Sequence, residues 1–322
     1  MKYFLFVFSF LLIVSCDNEL DLVAPNKEIP VVYGIIDQSD SIQYIRVERV
    51  FLDPNVAAPI IAKNPDSLYF EGITVKLIRE STGEEYEMER IDGNLEGLVR
   101  DDGAFADTPN YLYKILTENI PLLPKEKITI SIEGIYEDRN VTATTAVIEP
   151  PIFITPVSGS NFSLSPFDSK ITIGWNPKAN AVIFTPIFSM DIEETKDGEI
   201  TNKHLKWVVE SNLTKSKISA LRGDFFRFLI GALKVDPEIT RRLSNFEFAL
   251  VSGDANVSAF INVGQANLGL TSSGEIPNYS NLSEGLGIFG ATYTDRRVEL
   301  RLNGTSRDSL KNSTITRDLN FK

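Results

Sequence analysis

The chain has 322 residues, with 32 Lys and Arg against 44 Asp and Glu for a formal charge of −12, and 43% of it is hydrophobic. That content buries a sizeable core and fits two domains of ordinary size, which excludes a disordered chain, and the acidic balance excludes nucleic acid as a partner, because such binding rests on clustered Lys and Arg. One cysteine, Cys16, and one histidine, His204, exclude disulfide frameworks and Cys/His zinc sites, so we expect neither a cofactor nor a metal.

Lys2 precedes an apolar run over 4–14 that only Ser9 interrupts. It has the length of a signal core and falls short of the ~20 residues needed to span a bilayer, so residues 1–15 read as an export signal. The run ends in Ile13-Val14-Ser15-Cys16, which resembles the lipobox of bacterial lipoproteins with Ile where Leu is preferred. That resemblance implies lipidation at Cys16 and attachment to the membrane by the lipid anchor only. Two or three acyl chains make such an attachment effectively permanent. The richest later apolar stretch, 225–233, is broken by Arg227 and is too short to span.

Residues 16–28, with Pro25 and Asn26, read as a flexible tether. Within it Asp17-Asn18-Glu19-Leu20-Asp21 resembles the acidic surface-export signals of lipoproteins in the Bacteroidota, and reads equally as a solvated linker.

From Ile29 onward the apolar residues alternate. Strands are expected over 29–36, 42–52 and 73–80, the last turning at Ser81-Thr82-Gly83-Glu84 into a return strand over 85–91. Further strands at 111–116, 128–132 and 141–147 bring the count to about seven or eight, which suits an immunoglobulin-like β-sandwich over 29–149.

Glu149-Pro150-Pro151 places a domain boundary, since two prolines cannot sit in a central strand. The second domain, 150–322, is expected to be mainly β as well. Its start, with 171–175 and 181–192, resembles the B and C strands of a fibronectin-type sandwich, with Trp175 as core tryptophan. A helical insertion is expected at about 219–244, because Leu221, Phe225, Phe228, Leu229, Ala232 and Leu233 form one stripe and Asp236-Pro237-Glu238 opens a second short helix. The insertion reads first as a cover for an open sheet face, and second as a lid or docking element. Strands are expected again at 246–251, 257–263, 288–293 and 298–302, with a polar tail fraying from Asn303.

Several of these segments together resemble the Bacteroidota lipoproteins of unknown function that pair an N-terminal immunoglobulin-like domain with a second β domain. The likeness is carried by Pro30-Val31-Val32-Tyr33-Gly34-Ile35-Ile36-Asp37, by the 73–78 strand with its Thr82-Gly83 turn, by 127–147, and by the glycine-rich stretch 281–291. It implies an outer-membrane lipoprotein of cell-surface or nutrient-uptake systems, serving an outer-membrane protein or extracellular ligand, and it supplies no catalytic residues.

Gly285-Leu286-Gly287-Ile288-Phe289-Gly290 matches the dinucleotide fingerprint, but polar residues precede it and a strand-like stretch follows, so its glycines are assigned to a bulge or a close strand approach. Acid-base chemistry would have to come from paired carboxylates, with Asp101, Asp102 and Asp107 or Glu193 and Glu194 as the candidates for a carbohydrate-active enzyme; neighbours on one strand or loop point apart, and they read as solvated. The same three aspartates match no calcium loop. Trp207 reads as core, as do Tyr111 and Tyr113, which share a face, and His204 needs no role. Asp40-Ser41-Ile42, Asp66-Ser67-Leu68 and Asp308-Ser309-Leu310 resemble the short O-glycosylation signal of the Bacteroidota, with Ser67 the candidate in an expected loop. The sequence therefore describes a mainly β, non-enzymatic binding or accessory module with no catalytic residue and one lipidation site, Cys16.

Overall fold

The computed structural model describes residues 28–50, 56–269, 278–297 and 300–322. The expected signal (1–15), the lipidation site Cys16 and all of the tether except Glu28 lie outside them.

Period-two burial builds the first half. Strands β1 (Ile29–Asp37) and β2 (Ile42–Val50) pair antiparallel, with Val32, Ile36, Ile45 and Val47 turned inward. After a short helix α1 (Ala58–Ala62), strands β3 (Thr74–Arg79) and β4 (Glu85–Glu87) form the hairpin expected at Gly83. The return strand expected over 85–91 is divided at the buried Met88: β5 (Glu89–Asp92) leaves the hairpin to pair with β6 (Tyr111–Leu116) in another sheet. Strands β7 (Lys127–Glu133) and β8 (Val141–Ala146) complete a four-stranded sheet of order β4-β3-β7-β8.

The second half contains β9 (Ile152–Thr155), β10 (Asn161–Phe162), β11 (Lys170–Asn176), β12 (Ile183–Lys196), β13 (Glu199–Val208), β14 (Lys217–Leu221), helix α2 (Arg222–Ala232), β15 (Thr240–Gly253), helix α3 (Ala255–Gly269), β16 (Leu286–Arg297), β17 (Arg301–Leu302) and helix α4 (Gly304–Asn312). Phe184, Phe188, Met190 and Ile192 alternate inward along β12 and meet the short sheet β14-β11-β9 and the β10-β17 pair. Trp175 lies 5.3 Å from Phe184, and Phe188 stacks on Phe246 at 5.4 Å and on Trp207 at 5.4 Å, so both tryptophans are core residues as expected. Helix α2 covers this sheet, setting Phe225 5.7 Å from Trp207. The chain is mainly β, with 44% of it in strands against 18% in helices, and the sheets stack as sandwiches.

The two sandwich-like halves share a layer. Eight strands form one sheet of order β13-β12-β15-β16-β1-β2-β6-β5, in which β16 pairs antiparallel with β15 and parallel with β1 from Val31↔Leu286 to Asp37↔Thr292. The boundary expected at 149/150 therefore does not divide the sheet, and one continuous cluster of buried side chains runs from Val32 to Phe321. Gly287 makes the contact with β1 possible: its φ is +111°, and a Cβ there would run into the Val32 carbonyl. The fingerprint glycines thus serve a close strand approach, as their flanking residues suggest. Cleavage beside Ile152, which is 54% exposed, is expected to leave two fragments that co-elute in size-exclusion chromatography, because β1 remains in its ladder with β16. Fragments that separate without denaturant would contradict the shared sheet.

Three expected elements come out differently. The second short helix from Asp236 is a turn, in which the Asp236 side chain accepts the Glu238 N–H at 2.9 Å, and Thr240 then starts β15, whose long ladder with β12 outweighs a local capping signal. Residues 257–263 are helix α3 where a strand is expected, because Asp254 accepts the Val257 N–H on its side chain at 2.8 Å and the Ser258 N–H on its carbonyl at 3.0 Å. The tail from Asn303 does not fray. Asn303 caps α4 through the Ser306 N–H at 2.9 Å, and beyond that helix Phe321 bridges to Arg241, with Leu310, Leu319 and Phe321 buried. Residues 298–299 of the expected strand at 298–302 lie outside the described residues, and Arg301 and Leu302 form β17.

Candidate functional site

The tail that packs onto the second half creates a groove. Helix α4 is held down by its buried Ser306, whose hydroxyl donates to its own cap at Asn303 and accepts the Leu164 N–H at 2.7 Å. Strand β17 is fixed by Leu302, which pairs with Phe162, and Lys322 donates its N–H to the Arg241 carbonyl at 2.9 Å. Between α4, β17, the tail and the start of β15 lies a cavity of about 360 Å³. Its floor is Phe246, Leu300, Leu302, Leu310 and Phe321, all buried core residues.

Among the described residues its walls carry five cations, Arg242, Arg301, Arg307, Lys311 and Lys322, and the side-chain carboxylate of Asp308. Arg307 and Lys311 stand at i and i+4 and so share a face of α4, while the others come from β15, β17 and the tail. Arg242 is occupied by a forked pair with Glu193, at 2.9 and 2.7 Å. Among the described residues, Arg301, Arg307, Lys311 and Lys322 form no ion pair. Four described cations without an ion pair, with Asp308 beside them, give the wall of this cavity a positive balance in a chain of net charge −12.

Next to Arg242 on β15, Arg241 is fully buried. Its guanidinium donates to Glu194 at 2.8 Å, to the Leu319 carbonyl at 2.8 Å and to the Lys234 carbonyl at 2.8 Å, tying β12, the α2–β15 connection and the tail together. Lys203 reaches the other Glu194 oxygen at 2.9 Å. Burial pushes the Glu194 carboxyl up, but the hydrogen bonds from Lys203 and Arg241 outweigh it and hold the group below the ordinary range.

The carboxylates singled out in the sequence do not face one another. Glu193 and Glu194 sit on opposite faces of β12, one paired with Arg242 on the surface and the other sealed under Arg241. Asp101, Asp102 and Asp107 lie exposed in the β5–β6 connection. Among the described residues no group of three or more His, Cys, Asp or Glu is placed to hold a metal. His204 has a partner that the sequence did not reveal, since its Nδ1 is hydrogen-bonded to Asp191 at 2.8 Å, and this contact holds the Asp191 carboxyl below its usual range. Tyr113 is buried in the core, while Tyr111 meets Tyr69 edge to face at 5.0 Å and carries Arg90 over its ring. Ser67, expected in a loop, is buried in a single 3-10 turn; Ser41 is exposed and Ser309 half-buried. Cys16 lies outside the described residues. The groove itself was missed, since its cations come from four separate elements and only the Arg307–Lys311 spacing is visible locally.

No family model matches the chain, and no curated protein matches it. Among solved structures it is similar to a two-domain fibronectin type III segment of chicken tenascin, at 11% identity and a TM-score of 0.18 over 70% of this chain and 91% of that one. It is also similar to the FN1–FN3 domains of chicken CNTN1, at 10% identity and a TM-score of 0.19 over 83% of this chain and 65% of that one. A third likeness is to the calcium-binding domain CBD12 of CALX1.1, at 10% identity and a TM-score of 0.17 over 81% and 98%. At these scores none of the three carries a functional argument. Among the described residues no helix is long and apolar enough to cross a membrane, which says nothing of a β-barrel.

Proposed function

We propose that this protein is a non-enzymatic, lipid-anchored binding module of the outer membrane, held through Cys16 and taking an anionic ligand in the groove beneath α4. The observation that carries the binding half is the set of four cations around one cavity that form no ion pair among the described residues of an acidic chain. The two Arg forks suit carboxylate, phosphate or sulfate oxygens, which they engage in pairs, and the apolar floor limits the water that competes for them. The membrane half rests on the lipobox resemblance at Ile13-Val14-Ser15-Cys16 and on the wider likeness to Bacteroidota surface lipoproteins. An accessory role beside an uptake or adhesion machine follows from that likeness.

The groove is tested with immobilised polygalacturonate and polyglutamate as defined polyanions. The wild type is expected to be retained at low salt and released as the Debye length shrinks towards about 3 Å near 1 M. Reversing Arg301, Arg307 and Lys311 to Glu together is expected to abolish retention with no loss of fold, since all three side chains are exposed. A wild type that ignores both polymers at low salt, or a triple variant that binds as well, contradicts the reading.

A further inference from the structure

A second surface lies at the other end of the shared sheet. The connection over 56–70 after β2 and the one over 93–110 between β5 and β6 emerge side by side, because Ile45 faces Tyr113 and Asp92 faces Tyr111 in the ladders beneath them. They are fastened to each other: the Ala106 N–H donates to the Ala62 carbonyl at 2.8 Å, and Lys63 Nζ to the Phe105 carbonyl at 3.1 Å. Asn110 holds the Leu98 carbonyl at 2.7 Å, and Leu68, Tyr69 and Ala106 form a small core of their own with Tyr111 against it. Although so well tied, the loops turn large apolar side chains outward: Leu95 is 86% exposed, Val99 72%, Ile60 66% and Phe105 47%. Between them Ala58, Pro59, Ile61, Ala62 and Phe105 line an apolar cleft of about 380 Å³. Single exposed apolar residues are ordinary, but a set gathered on two braced loops marks a contact surface.

The chain itself says what that surface meets. Ile29 pairs with Val50, the last residue of β2, so residues 1–27 join the body at this same end of the sheet. The thirteen residues from Cys16 to Glu28 reach at most about 45 Å when fully extended. An acyl anchor on Cys16 thus confines this end of the sheet to within that distance of the bilayer, where the local concentration of lipid makes even a weak contact effective. Asp101, Asp102 and Asp107, exposed on the same connection, oppose an anionic surface and leave a zwitterionic one favoured.

We infer that the loops carrying Ile60, Leu95, Val99 and Phe105 dock on a zwitterionic lipid surface and orient the groove away from it. This rests on the lipid-anchor reading of Cys16. The test uses the lipidated protein in phosphatidylcholine–phosphatidylethanolamine vesicles that contain brominated acyl chains. With Cys16 acylated, Val99→Cys supplies the one free thiol for a fluorophore, and Glu199→Cys, on the exposed far edge strand β13, is the control. Quenching several-fold stronger at position 99 than at 199 is expected, with the same result for Phe105→Cys. Equal quenching in protein whose mass shows Cys16 acylated overturns this inference and leaves the anchor standing. A mass without acyl chains overturns both, and a dimer that shields the label at 99 from lipid shows a second copy on the loops and overturns the docking.

Discussion

Replacing Arg241 with methionine is expected to cost about 3–5 kcal/mol of folding stability, the range for removing one partner of a buried, hydrogen-bonded ion pair. Methionine fills much of the space but leaves Glu194 with Lys203 alone and orphans the carbonyls of Leu319 and Lys234. Urea unfolding followed by tryptophan fluorescence measures the loss, because Trp175 and Trp207 are both buried. A companion Glu194→Leu placed on top of Arg241→Met should recover part of the loss, since two apolar groups no longer leave a charge stranded. Loss of under 1 kcal/mol in the single variant would show that the pair is not the clamp on the tail. The pH dependence has a definite sign. Glu194 titrates lower in the folded chain than its ordinary 4.5, so its contribution is complete above that value and is lost as pH falls through the lower folded value. In Arg241→Met that acid-side loss should shrink.

Gly287→Ala is expected to be the other severe change, at about 3 kcal/mol, the upper part of the range for forcing a side chain into a backbone conformation it avoids. The added methyl meets the Val32 carbonyl at the parallel β1–β16 contact, and backbone on both sides leaves nothing flexible to yield. Gly231→Ala is the internal control: it sits exposed in α2 with open space around it, and alanine there should stabilise by up to about 1 kcal/mol. If Gly287→Ala is as mild as Gly231→Ala, the two halves do not depend on that contact. Cooperative unfolding that splits into two transitions in Gly287→Ala would locate the damage at the shared layer.

What the sequence reveals and what it hides follow from the range of the forces involved. Alternation along 42–50 or 183–192 is a local signal of a half-buried strand, and those strands form where they are expected. The union of β1 with β16 joins residues about 250 positions apart through a parallel ladder that no turn announces, so a proline pair at 150–151 reads as a boundary although the sheet passes beyond it. Val257, Phe260 and Ile261 fall at i, i+3 and i+4, a helical spacing too short to stand out beside Val263, and the deciding group is the Asp254 cap just before them. The groove is hidden for the same reason as the shared sheet. Its cations are scattered over 242–322 and converge only because the tail, which reads as polar and loose, is pinned by Arg241 and Ser306. The divergence of Glu193 and Glu194, in contrast, was legible from strand geometry alone.

Both the proposed anchor and the orientation of the loops depend on one sulfur atom, and metabolic labelling with a fatty acid reads it directly. The account predicts that the wild type carries the label and resists a carbonate wash of the membranes, while Cys16→Ser carries none and is released by the wash. An unlabelled wild type, or a Cys16→Ser protein that stays with the washed membranes, would contradict it.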